Sequence, residues 1–144
     1  MEPEESMKKF KIILPRDCEE PMEKVILEDG RYPLEAFAFL HEALAYAVEH
    51  VYGGQAEGGQ EKHVSGKQLC LALRDLAIKK WGLLARTVLA KWNIHATIDF
   101  GNMVYLLVQH KIWRKRPQDS IEDFQDVFDF AEAFNVQDEF ELKE

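Results

Sequence analysis

The chain has 144 residues, 47% apolar and 31% charged, with a formal net charge of −8, a balance that suits one globular domain with its own core and excludes a disordered segment. No apolar run approaches the roughly 20 residues that span a bilayer, and Cys18 and Cys70 form no CxxC pair, so neither a membrane span nor a disulfide or zinc framework is expected. The acidic start MEPEESMKKFKIIL lacks a cleavage pattern and does not read as a signal peptide, which makes a reducing cytoplasm the expected setting.

Residues 1–20 read as a peripheral segment, with Phe10–Leu14 suited to a short strand ended by Pro15. Pro21 fits the first turn of a short helix over Met22–Glu28, and Asp29-Gly30 signals a turn. Pro33 opens the most readable helix, in which Phe37, Leu40, Leu44, Val48 and Val51 recur at steps of three and four to about Tyr52. Gly53–Glu61 has four glycines and no large apolar side chain, the composition of a flexible internal loop. Ser65 and Gln68 form a capping-box pattern ahead of the stripe Leu69, Leu73 and Leu76, widened by Leu71 and Ile78. Gly82 offers a left-handed stop after Trp81.

A short helix over 83–92 follows, with Leu84, Val88, Leu89 and Trp92 on its apolar side and Asn93 at its end. Thr97 is placed to cap the next helix, over 98–111, with Asp99 favourable in its first turn and Phe100, Met103, Val104, Leu107 and Val108 on its buried face. Gly101 inside that helix costs about 1 kcal/mol relative to alanine and so marks close packing. Residues 112–130 admit two readings. One is a helical turn capped by Ser120 and Asp123 and extended through Phe124 and Phe128; the other is a β-hairpin of Ile112–Arg116 against Phe124–Phe130. Residues 135–144 form an acidic tail. The expectation is therefore a mainly α domain over 21–134, a compact bundle of about five helices anchored by Trp81, Trp92, Phe100 and Phe124. A hairpin near 112–130 would make it winged-helix-like.

The stretches EDGRYPLEAFAFLHEAL (28–44), HVSGKQLCLALRDLAIKKWGLLARTVLAKWNI (63–94), DFGNMVYLLV (99–108) and DSIEDFQDVFDF (119–130) resemble one uncharacterised bacterial family, reported mainly from planctomycetes and verrucomicrobia. The resemblance covers about residues 22–134. It implies a small single domain of cellular origin and brings no activity, cofactor or catalytic residue with it.

Candidate chemistry is sparse. His41, Glu42, Glu49 and His50 share a helix, but His41 has Ala45 four positions on, so no HExxH zinc pair forms and no metal is expected. Cys70 lies among leucines as a small hydrophobe, and Ser65 beside His63 reads as a cap. No cofactor motif is present.

The charges, by contrast, are sorted by position. Residues 79–116 carry Lys79, Lys80, Arg86, Lys91, Lys111, Arg114, Lys115 and Arg116 against Asp99 alone, a net of +7, whereas residues 117–144 carry a net of −9. The first reading of function is a non-enzymatic module for an unknown protein partner. The second is a winged-helix-like nucleic-acid binder using Lys111, Trp113, Arg114, Lys115 and Arg116, which the overall negative charge disfavours. The third is an enzyme whose site assembles only in three dimensions from residues such as His63, Cys70 and Asp99. Acids at 119–132 interleave with Phe124, Phe128, Phe130 and Phe134, as either a face for a basic partner or core aromatics with solvated acids. Whether Arg114–Arg116 pair with those acids separates architecture from function.

Overall fold

Six helical segments organise the chain in the computed structural model, which describes residues 21–52 and 63–134. They are α1 (Met22–Asp29), α2 (Leu34–Tyr52), α3 (Gly66–Trp81), α4 (Ala85–Lys91), α5 (Thr97–Gln109) and the one-turn α6 (Phe130–Ala133); Gly82–Leu84 and Ile121–Phe124 are single 3-10 turns. Among the described residues the fold is a helical bundle without strands. The expected Phe10–Leu14 strand, the 53–61 loop and the 135–144 tail lie outside the described residues.

The helix ends follow their residues. Gly30 adopts φ +77° and returns its N–H to the Ile26 carbonyl, closing α1. The α3 capping box is reciprocal: Gln68 N–H donates to Ser65 Oγ at 3.0 Å and Ser65 N–H donates to Gln68 Oε1 at 2.8 Å. Gly82 takes φ +53° after Trp81, ending the helix where no side chain would be comfortable. At α5 the cap is Asp99, whose Oδ2 accepts from the N–H groups of His95 at 2.7 Å and Ala96 at 3.1 Å. Thr97, expected as the cap, instead sits one position inside the helix with its hydroxyl buried.

Helices α2 and α3 make the most extensive helix–helix packing. Phe37, Leu40, Ala43 and Ala47 of α2 and Cys70, Leu73 and Ala77 of α3 are fully or nearly fully buried; the alanines allow close approach. Phe100, Met103 and Leu107 of α5 complete the core. Phe100 and Phe124 are the anchors expected, but Trp81 and Trp92 are only half-buried and Leu84 is 61% exposed. The reason is α4's register: Ala85 and Leu89 turn inward, and Leu84 therefore faces out.

Residues 112–130 form neither a hairpin nor a long helix. Lys111 adopts φ +62°, and the N–H groups of both Ile112 and Trp113 donate to the Leu107 carbonyl, at 2.8 and 3.1 Å. The chain thereby folds back over the end of α5 and buries Ile112 and Trp113. Beyond it, buried positions fall at 124, 130 and 134, which matches neither a strand nor a helix period. Side chains satisfy much of the backbone in place of a ladder: Thr97 Oγ1 donates to the Phe124 carbonyl at 2.6 Å and accepts from Val127 N–H at 3.1 Å.

Phe124 is wedged between two glycines. A Cβ on Gly101 would lie 2.8 Å from Phe124 Cβ, and one on Gly66 would lie 2.9 Å from Phe124 Cε1 and from Asp123 Cβ. The glycine inside α5 thus does mark close packing. Downstream, Phe130 sits 5.0 Å from Phe134 and 6.0 Å from Phe100 between ring centroids, while Glu122, Asp126, Asp129 and Glu132 are exposed. Aromatics enter the core and acids face water.

Candidate functional site

The five residues singled out by the sequence divide three ways. Trp113 is only 5% exposed, so it offers no face for stacking on a nucleic-acid base, contrary to expectation; the turn at Lys111 is what buries it. Arg116 and Lys115 are engaged internally. The Arg116 side chain donates to both Asp119 carboxylate oxygens at 3.1 and 3.3 Å, its backbone N–H adds a bond of 2.8 Å, and Lys115 Nζ donates to the Arg116 and Asp119 carbonyls at 3.3 and 3.1 Å. Burial pushes the Asp119 carboxyl up, but the hydrogen bonds and charge of Arg116, helped by His63, outweigh it and hold the group below its ordinary value. Lys111 and Arg114 are exposed, and their side chains make no hydrogen bond or ion pair among the described residues.

Basic and acidic segments therefore pair across Pro117, through Arg116 and Asp119. That pairing leaves two of the four bases of 111–116 available. Nor does α5 supply the rest of a DNA-reading surface: between Thr97 and Gln109 it has no lysine or arginine, and with no hairpin there is no wing.

The same turn forms one wall of a cleft. Trp113 and Arg114 border it from the turn, Asp123 and Phe124 from the 3-10 turn, Ser65 and Gly66 from the start of α3, and Leu44, Leu69 and Val104 from three helices; its volume is about 60 Å³. The Trp113 indole nitrogen is buried and has no hydrogen-bond partner among the described residues. Tyr105, also on the wall, has its phenol pushed up by burial and by the charges of Asp119, Asp123 and Glu122.

A second feature lies at the corner between α3 and α4. Phe39, Trp81 and Trp92 form a mutual cluster, with ring centroids 5.0 Å apart for Phe39–Trp81, 5.9 Å for Phe39–Trp92 and 5.5 Å for the two indoles. Beside Trp81, Leu83 and Leu84 are 51% and 61% exposed. Lys80 reaches Glu42 at 3.3 Å and Lys79 lies over the Tyr46 ring; Arg86 and Lys91 are exposed without an ion pair among the described residues. No acid occurs from 76 to 98. The sequence reading missed this surface because it placed Leu84 inward; the signal was the alternative i, i+4 pair Ala85 and Leu89.

Of the three candidate enzyme residues, His63 lines the cleft and the other two are occupied by other work. Cys70 is fully buried and its thiol is pushed up to about 12 by that burial. Asp99 accepts from the Tyr32 hydroxyl at 2.7 Å as well as from the two backbone donors of its cap. Among the described residues no group of histidine, cysteine, aspartate or glutamate side chains is placed to hold a metal ion, and no helix is long and apolar enough to cross a membrane. No family model, curated protein or solved structure matches the chain.

Proposed function

We propose that the domain is a non-enzymatic protein-interaction module whose binding face is the α3–α4 corner. Its partner is an acidic protein segment carrying apolar side chains. One observation carries the reading: adjacent leucines, 51% and 61% exposed, stand in a stretch of chain that has bases and no acid. Burying each exposed leucine is worth roughly 1.5–3 kcal/mol at full burial. Arg86 and Lys91 add a cationic rim that steers and orients an acidic partner. Leu27, Leu34 and Val51 are exposed as well, but none of them is adjacent to another in the chain, and single exposed apolar side chains are ordinary on a protein surface.

The test is titration of isotope-labelled protein with a synthetic peptide of alternating leucine and glutamate, followed by NMR. Expected are saturable shifts centred on Gly82–Lys91, lost in Leu83→Ser/Leu84→Ser and weakened by salt in Arg86→Ala/Lys91→Ala less than in the parent. Shifts confined to other surfaces, or none, refute the reading. A parallel titration with duplex DNA separates the alternative: tight, steeply salt-dependent binding that survives the leucine changes and is lost in Lys111→Ala/Arg114→Ala would favour nucleic acid instead.

A further inference from the structure

We infer that the cleft beside Trp113 binds a small zwitterion with an apolar side chain, the chemistry of a free aliphatic α-amino acid. Three groups on its lining are incompletely satisfied by the protein, and each selects a different part of such a ligand.

The first is the Trp113 indole N–H. It is buried and donates to nothing among the described residues, although leaving a buried donor unpaired costs on the order of 1–3 kcal/mol. A ligand oxygen would supply the acceptor it lacks among the described residues. The second is Arg114, which borders the cleft; its guanidinium has no ion pair among the described residues and suits a carboxylate. The third is Asp123. Its Oδ2 accepts from Ser120 N–H at 3.0 Å, and no cation among the described residues neutralises it. Asp119, the other carboxylate on the lining, is already matched by Arg116 at 3.1 Å, and Lys115 is spent on the turn's carbonyls.

A bare carboxylate ligand would face the charge of Asp123, and a bare amine the charge of Arg114. A zwitterion meets both. Leu44, Leu69 and Val104 supply an apolar wall for its side chain. The volume of about 60 Å³ is several times the roughly 10–15 Å³ that a single water needs, so the cleft has room for a small ligand group. The site is separate from the α3–α4 corner and does not depend on the function proposed there.

The experiment follows the Trp113 indole resonance in proton–nitrogen correlation spectra, assigned with Trp113→Phe, during titration with L-leucine, isocaproate and isoamylamine. Isocaproate lacks the ammonium and isoamylamine lacks the carboxylate. Expected is a saturable shift of the Trp113 resonance with L-leucine and binding of either analogue weaker by about tenfold or more. Asp123→Asn, which keeps an oxygen for Ser120 N–H, should abolish the preference for L-leucine over isocaproate. Arg114→Ala, a change at an exposed side chain that the fold tolerates, should abolish the preference over isoamylamine. No movement of the Trp113 resonance with L-leucine overturns the proposal. So does equal binding of all three compounds, which would mark an apolar hole without charge recognition.

Discussion

Thr97→Val separates shape from hydrogen bonding at the joint between α5 and the segment that follows it. Thr97 is completely buried, and its Oγ1 both donates to the Phe124 carbonyl at 2.6 Å and accepts from Val127 N–H at 3.1 Å. Valine fills the same space and does neither. The Phe124 carbonyl, on a residue only 4% exposed, is then left without its donor at a cost of about 1–3 kcal/mol. Val127 N–H, on a half-buried residue, adds about 1 kcal/mol, and the extra methyl returns roughly 0.8 kcal/mol. The net loss is about 1–3 kcal/mol, a fall in melting temperature of roughly 4–10 °C for a domain of this size. Thr97→Ser keeps both bonds and deletes one methyl, costing about 1 kcal/mol. Urea unfolding followed by circular dichroism, with equal slopes for all three proteins, gives the order wild type, serine, valine. A valine variant as stable as wild type, or more stable than the serine variant, refutes the assignment of the hydroxyl as the latch.

Gly101→Ala should destabilise the domain by about 1–2 kcal/mol although alanine is the better helix former, because the new Cβ meets the Phe124 Cβ at 2.8 Å, an atom next to the backbone that cannot swing aside; a raised melting temperature would contradict the wedge. The Asp119 carboxyl is held below its ordinary value of 3.8 in the folded state. Its contribution to stability is therefore complete above that ordinary value and is lost as the pH falls through the lower folded value. Urea titrations from neutral pH into that acid range should show wild type and Asp119→Asn converging as the pH drops, and a constant gap between them would rule out the Arg116–Asp119 pairing as its source.

The long helices were legible because their signals are local. Pro33, the Ser65 and Gln68 box and the stripe from Leu69 to Leu76 lie within the element they define, and Gly101 announced its packing because a glycine there is otherwise a loss. The segment after α5 was illegible for the opposite reason. Its backbone is satisfied by a hydroxyl 27 and 30 residues earlier in the chain, which no window of sequence contains. Trp113 among bases looks like a surface aromatic, and only the positive φ of Lys111 turns it inward. Trp113 and Arg114 border the cleft, but no local signal announces that the indole nitrogen is buried there. Leu84 was lost to a one-position ambiguity in a helix of seven residues, too short for periodicity to choose a face.

The two glycines that hold Phe124 are both synthesised before it. As the chain emerges from the ribosome, α3 and α5 arrive carrying a slot floored by Gly66 and Gly101, and its occupant follows 23 residues after the second of them. Until then the slot is an apolar notch open to water and to other nascent chains, and the two helices have no wedge to fix their spacing. Completion of the bundle is thus tied to the arrival of one late aromatic ring. A premature stop before residue 124 leaves helices of good local character around an unfilled seam, the kind of species that protein quality control recognises.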